Sequence, residues 1–238
     1  MLYTLYNIQH TTYYKSMHFK SQNYFIISIL FVALLMISNT VASKIVVLFG
    51  FTLPGSVILF PFTYIFGDIL TEIYGYHGSR PIIWAGFGAS ILMALCYYFV
   101  EILPPAPFWG HQEAFHTVLG QTPRIVVASL AAYLVGEFVN SFTVSRMKVL
   151  THGKYLWTRT VGSTITGQAV DTIIFITIAF AGTFGNMELV TLAVSTYIAK
   201  VIVEVVMTPA TYAIVGYIKK KEGLDTFDTN ISYNPFKG

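Results

Sequence analysis

Apolar residues run through this chain in six long stretches, and its polar residues gather in short clusters between them. A membrane span needs about 20 mostly apolar residues. Tyr24–Ser43, Ser56–Gly75, Pro81–Ile102, Arg124–Ser145, Val161–Phe184 and Leu189–Ile218 meet that requirement. The pattern predicts an all-α polytopic membrane protein, a bundle of six transmembrane helices. Residues 24–218 form the transmembrane domain, with a tail at 1–23 and another at 219–238. The last stretch is long for one crossing. Pro209 predicts a kink there, because proline removes a backbone donor and crowds the preceding turn; the alternative is that the end of the stretch lies along the membrane interface. In the third stretch, Ala85, Gly86, Gly88, Ala89 and Ser90 are small residues that let helices approach closely.

Composition agrees with a membrane protein. Of 238 residues, 55% are hydrophobic and 11% charged, against about 25% charged in a soluble domain. Mean hydropathy is +0.63. The single Cys96 excludes an intrachain disulfide or a cysteine-based metal site. A pI near 8.8 raises the question of nucleic acid, but the basic residues sit at span ends, so they report topology and no nucleic-acid partner is expected. Lys15 and Lys20 precede the first span, and Arg80 separates the second from the third. Arg146, Lys148, Lys154 and Arg159 separate the fourth from the fifth, and Lys219, Lys220, Lys221 and Lys237 follow the sixth. The opposite connections, Gly50–Gly55, Leu103–Pro123 and Gly185–Glu188, carry none, with Arg124 at the edge of the second. Basic loops stay inside, so both termini are expected in the cytoplasm. Phe108 and Trp109 in "LPPAPFWGHQ" fit an aromatic anchor on the outer face. The first 23 residues lack the pattern of a cleavable signal peptide, and Met17 offers a second start.

Charges inside the spans are the exception that needs a reason. Asp68, Glu72, Glu137, Asp171 and Glu204 are acidic there; Lys44 and Lys200 are basic. Each costs roughly 2.5–3.5 kcal/mol at a helix centre even on the lenient insertion scale. They fall in stripes at helical spacing. Tyr64, Asp68 and Glu72 share one face. Tyr133, Glu137, Asn140 and Ser141 form a second stripe, Thr164, Gln168, Asp171 and Thr172 a third, and Tyr197, Lys200, Glu204 and Thr208 a fourth. Asn39 and Ser43 mark a weaker one. "YIFGDI" and "YLVGEF" share Tyr-x-x-Gly-acid, a short internal echo.

Bland readings compete. Lys200 and Glu204, four residues apart, read equally as a self-neutralising ion pair and as coupling residues, with Lys44 a further candidate. Glu72 lies near the cytoplasmic end, within reach of the interface. Tyr64, Tyr133 and Tyr197 suit packing as well as ligand stacking, and Asn39 and Ser43 suit helix–helix hydrogen bonding. Asp68, Glu137 and Asp171 have no opposite charge within a turn on their own helix, which favours function. The histidines fall in loops or tails, so neither a haem nor a metal site is expected in the bundle. "GSTITGQ" has Gln168 where a phosphate-binding loop needs Lys, so no ATPase is expected.

Several long motifs carry a family resemblance: "FPFTYIFGDILTEIYG", "LPPAPFWGHQEAFHTVLGQTPRI", "ASLAAYLVGEFVNSF", "GKYLWTRTVGSTITGQAVDTIIF" and "KVIVEVVMTP". From about Asn39 to Tyr212 the chain resembles the queuosine precursor transporters, the vitamin-uptake-transporter-like proteins of the bacterial inner membrane. The resemblance implies six helices. It also implies uptake of cyano- and aminomethyl-deazaguanine bases for queuosine synthesis on tRNA, without catalysis or cofactor.

The stripes fit such a cargo. A carboxylate accepts a ring N–H and the neighbouring exocyclic amine of a guanine-like face in parallel. Asp171 with Gln168 is the expected base-reading pair, and Glu137 with Asn140 lines the opposite wall. Asp68 serves recognition or proton coupling, supported by Glu72, while Tyr64 and Tyr133 offer ring faces. An alternative is the substrate-binding membrane subunit of a multi-protein vitamin importer. An intramembrane enzyme with Asp68 and Asp171 as a carboxylate pair is disfavoured, because no nucleophile or metal motif accompanies them. The expected partners are a purine-like base and the lipid bilayer; an energising partner and a homo-oligomer stay open.

Overall fold

The computed structural model describes residues 22–150 and 156–223, apart from some side chains within its helices. Its elements in order are helix α1 (Gln22–Val41), strands β1 (Ile45–Leu48) and β2 (Phe51–Pro54), a 3-10 turn (Gly55–Ile58), and helices α2 (Phe60–Glu101), α3 (Gln112–Leu119), α4 (Thr122–Leu150), α5 (Leu156–Phe180) and α6 (Asn186–Glu222).

Contacts divide the chain into two compact units. Among the described residues, one comprises 22–35, 62–86 and 207–223; the other comprises 36–61, 87–150 and 156–206. In the first, Ile65, Ile69 and Ile73 recur every fourth residue on α2, and Leu70 and Tyr74 stand beside them. They bury against Ile27 and Phe31 of α1 and Val215 and Ile218 of α6. Gly86 brings α2 close to α1, since a methyl group there would lie 3.0 Å from Leu35 Cδ2. In the second unit, Ile125, Ala128 and Ala132 of α4 meet Phe175, Ile176, Ala179 and Phe180 of α5 and Leu192 of α6.

The outward surfaces of these helices are apolar. Ile29, Leu92, Leu95, Phe99, Val205 and Val206 are all exposed. Such surface belongs in lipid, because water-soluble chains rarely show large contiguous apolar patches. Among the described residues, Gln22–Val41, Gly78–Glu101, Gln112–Gly136 and Asn186–Glu222 are long and apolar enough to cross a membrane, and Ile165–Phe180 is a shorter apolar helix. The chain is a multi-pass membrane protein.

Three features depart from the sequence pattern. The predicted spans Ser56–Gly75 and Pro81–Ile102 lie largely on one unbroken helix of 42 residues, so the expected connection around Arg80 is helical and His77 lies in a helix. Pro81 removes one backbone donor; in the preceding turn the Tyr24 hydroxyl donates to the Gly78 carbonyl at 2.9 Å. The segment Ile45–Pro54 pairs as an antiparallel hairpin. Its turn, Phe49-Gly50, has φ of +51° and +82°, the twist that suits a two-residue hairpin and that Gly50 meets without strain. Finally, α6 runs 37 residues through Pro209 to Glu222, into the expected tail. The two terminal tails otherwise lie outside the described residues.

Candidate functional site

The second unit brings two predicted stripes together. Lys200 Nζ of α6 donates to Asp171 Oδ2 of α5 at 2.5 Å. The Lys200 side chain is 3% exposed and that of Asp171 25%, so the ammonium is sealed in while part of the carboxylate stays open. Gln168, three residues before Asp171, lies on the same face of α5, with a buried Oε1. Glu204, one turn beyond Lys200, has a buried Oε2. The cross-helix partner of Lys200 is therefore Asp171, which sequence spacing on one helix does not reveal.

Helix α4 approaches this place closely. A methyl group on Gly136 would lie 3.2 Å from Asp171 Cβ and 3.5 Å from the Gly167 carbonyl oxygen. The glycine of "YLVGEF" thus lets α4 lie against α5 beside the carboxylate. Tyr133, one turn earlier, packs edge-on against Phe87, with ring centroids 5.1 Å apart. Tyr197 donates to the Ile165 carbonyl at 3.4 Å.

Other predicted residues are placed differently. Lys44 sits in the turn after α1, exposed, and its carbonyl accepts from Gly55 N. It is outside the span because α1 ends at Val41, and it joins no ion pair among the described residues. Asn39 is a structural node: Ser129 donates to its Oδ1 at 2.8 Å, and its Nδ2 donates to Ser90 at 3.4 Å. It joins α1, α2 and α4, with Ser90 wholly buried. The side chains of Tyr64, Asp68, Glu72, Glu137 and Asn140 lie outside the described residues.

Two polar centres escaped the sequence reading. Arg124 was read only as the edge of an outer loop. Its guanidinium donates to the Ile178 carbonyl at 2.6 Å and to the Ala181 carbonyl. A helix leaves its last carbonyls unpaired and carries partial negative charge there, so Arg124 caps the end of α5. The signal was a charge standing against an apolar helix start. In the first unit, Tyr74 is fully buried, and its hydroxyl donates to both oxygens of Glu222, at 3.0 and 3.2 Å. Asn23 donates to the same carboxylate at 2.6 Å. No sequence pattern pairs residues so distant.

Apolar helices with a buried ion pair between two of them define a class: a polytopic membrane protein with polar groups in its interior, as carriers of polar solutes need. The particular family follows from sequence comparison. The family model described as "Putative vitamin uptake transporter" matches residues 54–214, and this chain belongs to that transporter family. It is 29% identical to the "Probable queuosine precursor transporter" of Bacillus subtilis (strain 168) over 74% of this chain and 77% of that protein. It is 26% identical to the protein of the same name in Haemophilus influenzae (strain ATCC 51907 / DSM 11121 / KW20 / Rd), over 70% of each chain. It is 24% identical to the "Queuosine precursor transporter" of Escherichia coli (strain K12), over 81% of this chain and 86% of that one. No solved structure matches the chain.

Proposed function

We propose that this protein imports queuosine precursors, the cyano- and aminomethyl-deazaguanine bases, across the bacterial inner membrane. The observation that carries the reading is the buried Lys200–Asp171 pair beside Gln168, in a chain whose relatives are named queuosine precursor transporters. Lys200 donates to one oxygen of Asp171, and the exposed part of that carboxylate accepts the two parallel N–H groups of a guanine-like edge. Gln168 supplies a donor and an acceptor for the neighbouring carbonyl edge. In this proposal Glu137 and Asn140 of α4 line the opposite wall, and Tyr133 offers a ring face. On α2, Asp68 with Glu72 and Tyr64 acts in recognition or proton coupling.

The proposal includes six crossings within residues 24–218 and cytoplasmic termini. Support comes from the alternation of basic residues. At about 1.5 Å per residue, α2 is roughly 63 Å long, twice the hydrocarbon thickness of about 30 Å. Apolar residues flank Arg80 on both sides. One straight crossing leaves half of them in water, so in the bilayer the two halves cross separately, with a break between Gly75 and Pro81.

The test is complementation. A bacterium unable to make deazaguanines and lacking its own importer would express this chain and receive a low concentration of the cyano base. Queuosine appearing in its tRNA supports import. Its absence, with the protein shown to be inserted, overturns the proposal.

A further inference from the structure

Thr172 and Thr196 lie within α5 and α6, and their hydroxyls, like that of Thr122 at the start of α4, are buried without a hydrogen-bond partner among the described residues. Thr40, Thr166, Thr191 and Thr211 each donate to the carbonyl four residues back, the usual local partner of a helical hydroxyl. Thr172 and Thr196 are 1% and 0% exposed, and their hydroxyls meet no hydrogen-bond partner among the described residues. A buried hydroxyl in that state is costly, and in a native chain it asks for an explanation.

Their placement gives one. Thr172 adjoins Asp171 and lies one turn from Ile176. Thr196 lies one turn from Lys200 and one turn from Leu192. Ile176 and Leu192 belong to one apolar cluster; Asp171 and Lys200 belong to one ion pair. The two hydroxyls therefore mark the boundary, on both helices, between a dry core and the charged pair.

We propose that Thr172 and Thr196 form a hydroxyl pair that binds the uncharged polar edge of a planar heterocycle and sets specificity there. This rests on the function proposed above. A hydroxyl both donates and accepts, which suits a carbonyl, a nitrile or a ring N–H. A lone cation would meet the Lys200 ammonium and a lone anion the Asp171 carboxylate, so a neutral group fits best. Recognition of this kind discriminates, because the wrong ligand leaves the site's own polar atoms unpaired.

Thr172→Val and Thr196→Val keep the shape and remove the hydroxyl. Uptake of the cyano-deazaguanine base would be measured in vesicles, and thermal unfolding in detergent without ligand. Each Val variant is expected to raise KM about five- to tenfold, with Vmax little changed, and the Ser variants to keep a KM near wild type. The ligand-free unfolding midpoint is expected to rise in the Val variants, since a costly buried hydroxyl is gone. An unchanged KM, or a midpoint that does not rise, overturns the inference while import by the wild type still stands. If the wild type takes up no deazaguanine, the function proposal falls, and the ligand role of the hydroxyl pair, which rests on it, falls with it.

Discussion

Lys200 reaches from α6 to Asp171 on α5, 2.5 Å from Nζ to Oδ2, and neutralises a carboxylate that has no counter-charge within a turn on its own helix. Removing one member of a buried pair is far worse than removing both, because the survivor keeps its desolvation cost. Lys200→Met and Asp171→Asn alone are each expected to destabilise by about 3 kcal/mol. The double variant should recover most of that stability yet import nothing. Thermal unfolding of the purified variants, read beside uptake, checks both halves. Full uptake by Asp171→Asn in an inserted protein would remove Asp171 from the site.

Much of this was legible beforehand, for physical reasons that also show where legibility ends. Lipid demands apolar helix surfaces, so the spans stand out as runs. Charges within them must turn inward, so Asp171, Lys200 and Glu204 announce themselves as interior residues. Partnership did not show: Lys200 and Glu204 are neighbours in spacing, but the cross-helix bond to Asp171 depends on how α5 and α6 pack. The hairpin at Ile45–Pro54 was hidden because "IVVLFGFTL" is as apolar as a span, and a hydropathy run does not distinguish strand from helix over so few residues. Lys44 was counted with the intramembrane charges because it borders the outer end of the first span, and the end of α1 at Val41 places it in the turn beyond.

Arg124 holds the end of α5 through carbonyls that no residue of α5 can satisfy. Charge-assisted bonds of this kind contribute about 1.5–3 kcal/mol when well formed, less where water competes. Arg124→Gln keeps a donor but loses the charge and the fork. It is expected to lower stability by about 1–2 kcal/mol and to speed amide hydrogen exchange in residues 176–184, with Arg124→Lys between it and wild type. Unaltered exchange in that segment would show that the cap is dispensable.

In the first unit, Tyr74 and Asn23 share the Glu222 carboxylate, tying the ends of α1 and α6 to α2. The carboxylate sits at a helix C-terminus, where the dipole disfavours negative charge, so its hydrogen bonds are what keep it there. Tyr74→Phe removes the hydroxyl without changing the ring. A loss of about 1–2 kcal/mol is expected, and Glu222→Ala should lose a similar amount. In the double variant the two losses should fall short of adding, because the residues share one interaction. Additive losses in the cycle would mean that the contact contributes nothing.

The fate of α2 in a bilayer follows from its length and its charge. A helix of 42 residues exceeds even the full bilayer of about 40–45 Å with its headgroups. Tilt cannot absorb the excess, since spans tilt by about 20° on average. Gly75, Gly78 and Pro81 make the stretch around Arg80 the weakest part of the helix, as glycine and proline are the poorest helix formers. A break there would let each apolar half cross, with Arg80 on the side that the proposed topology places in the cytoplasm. With Cys96→Ser as background, His77→Cys should react with a membrane-impermeant thiol reagent in inside-out vesicles and stay unreactive in intact cells. Reaction from neither side would mean that α2 crosses once as a single rod, with the termini then on opposite sides; reaction from the outer side alone would keep the break and invert the proposed orientation.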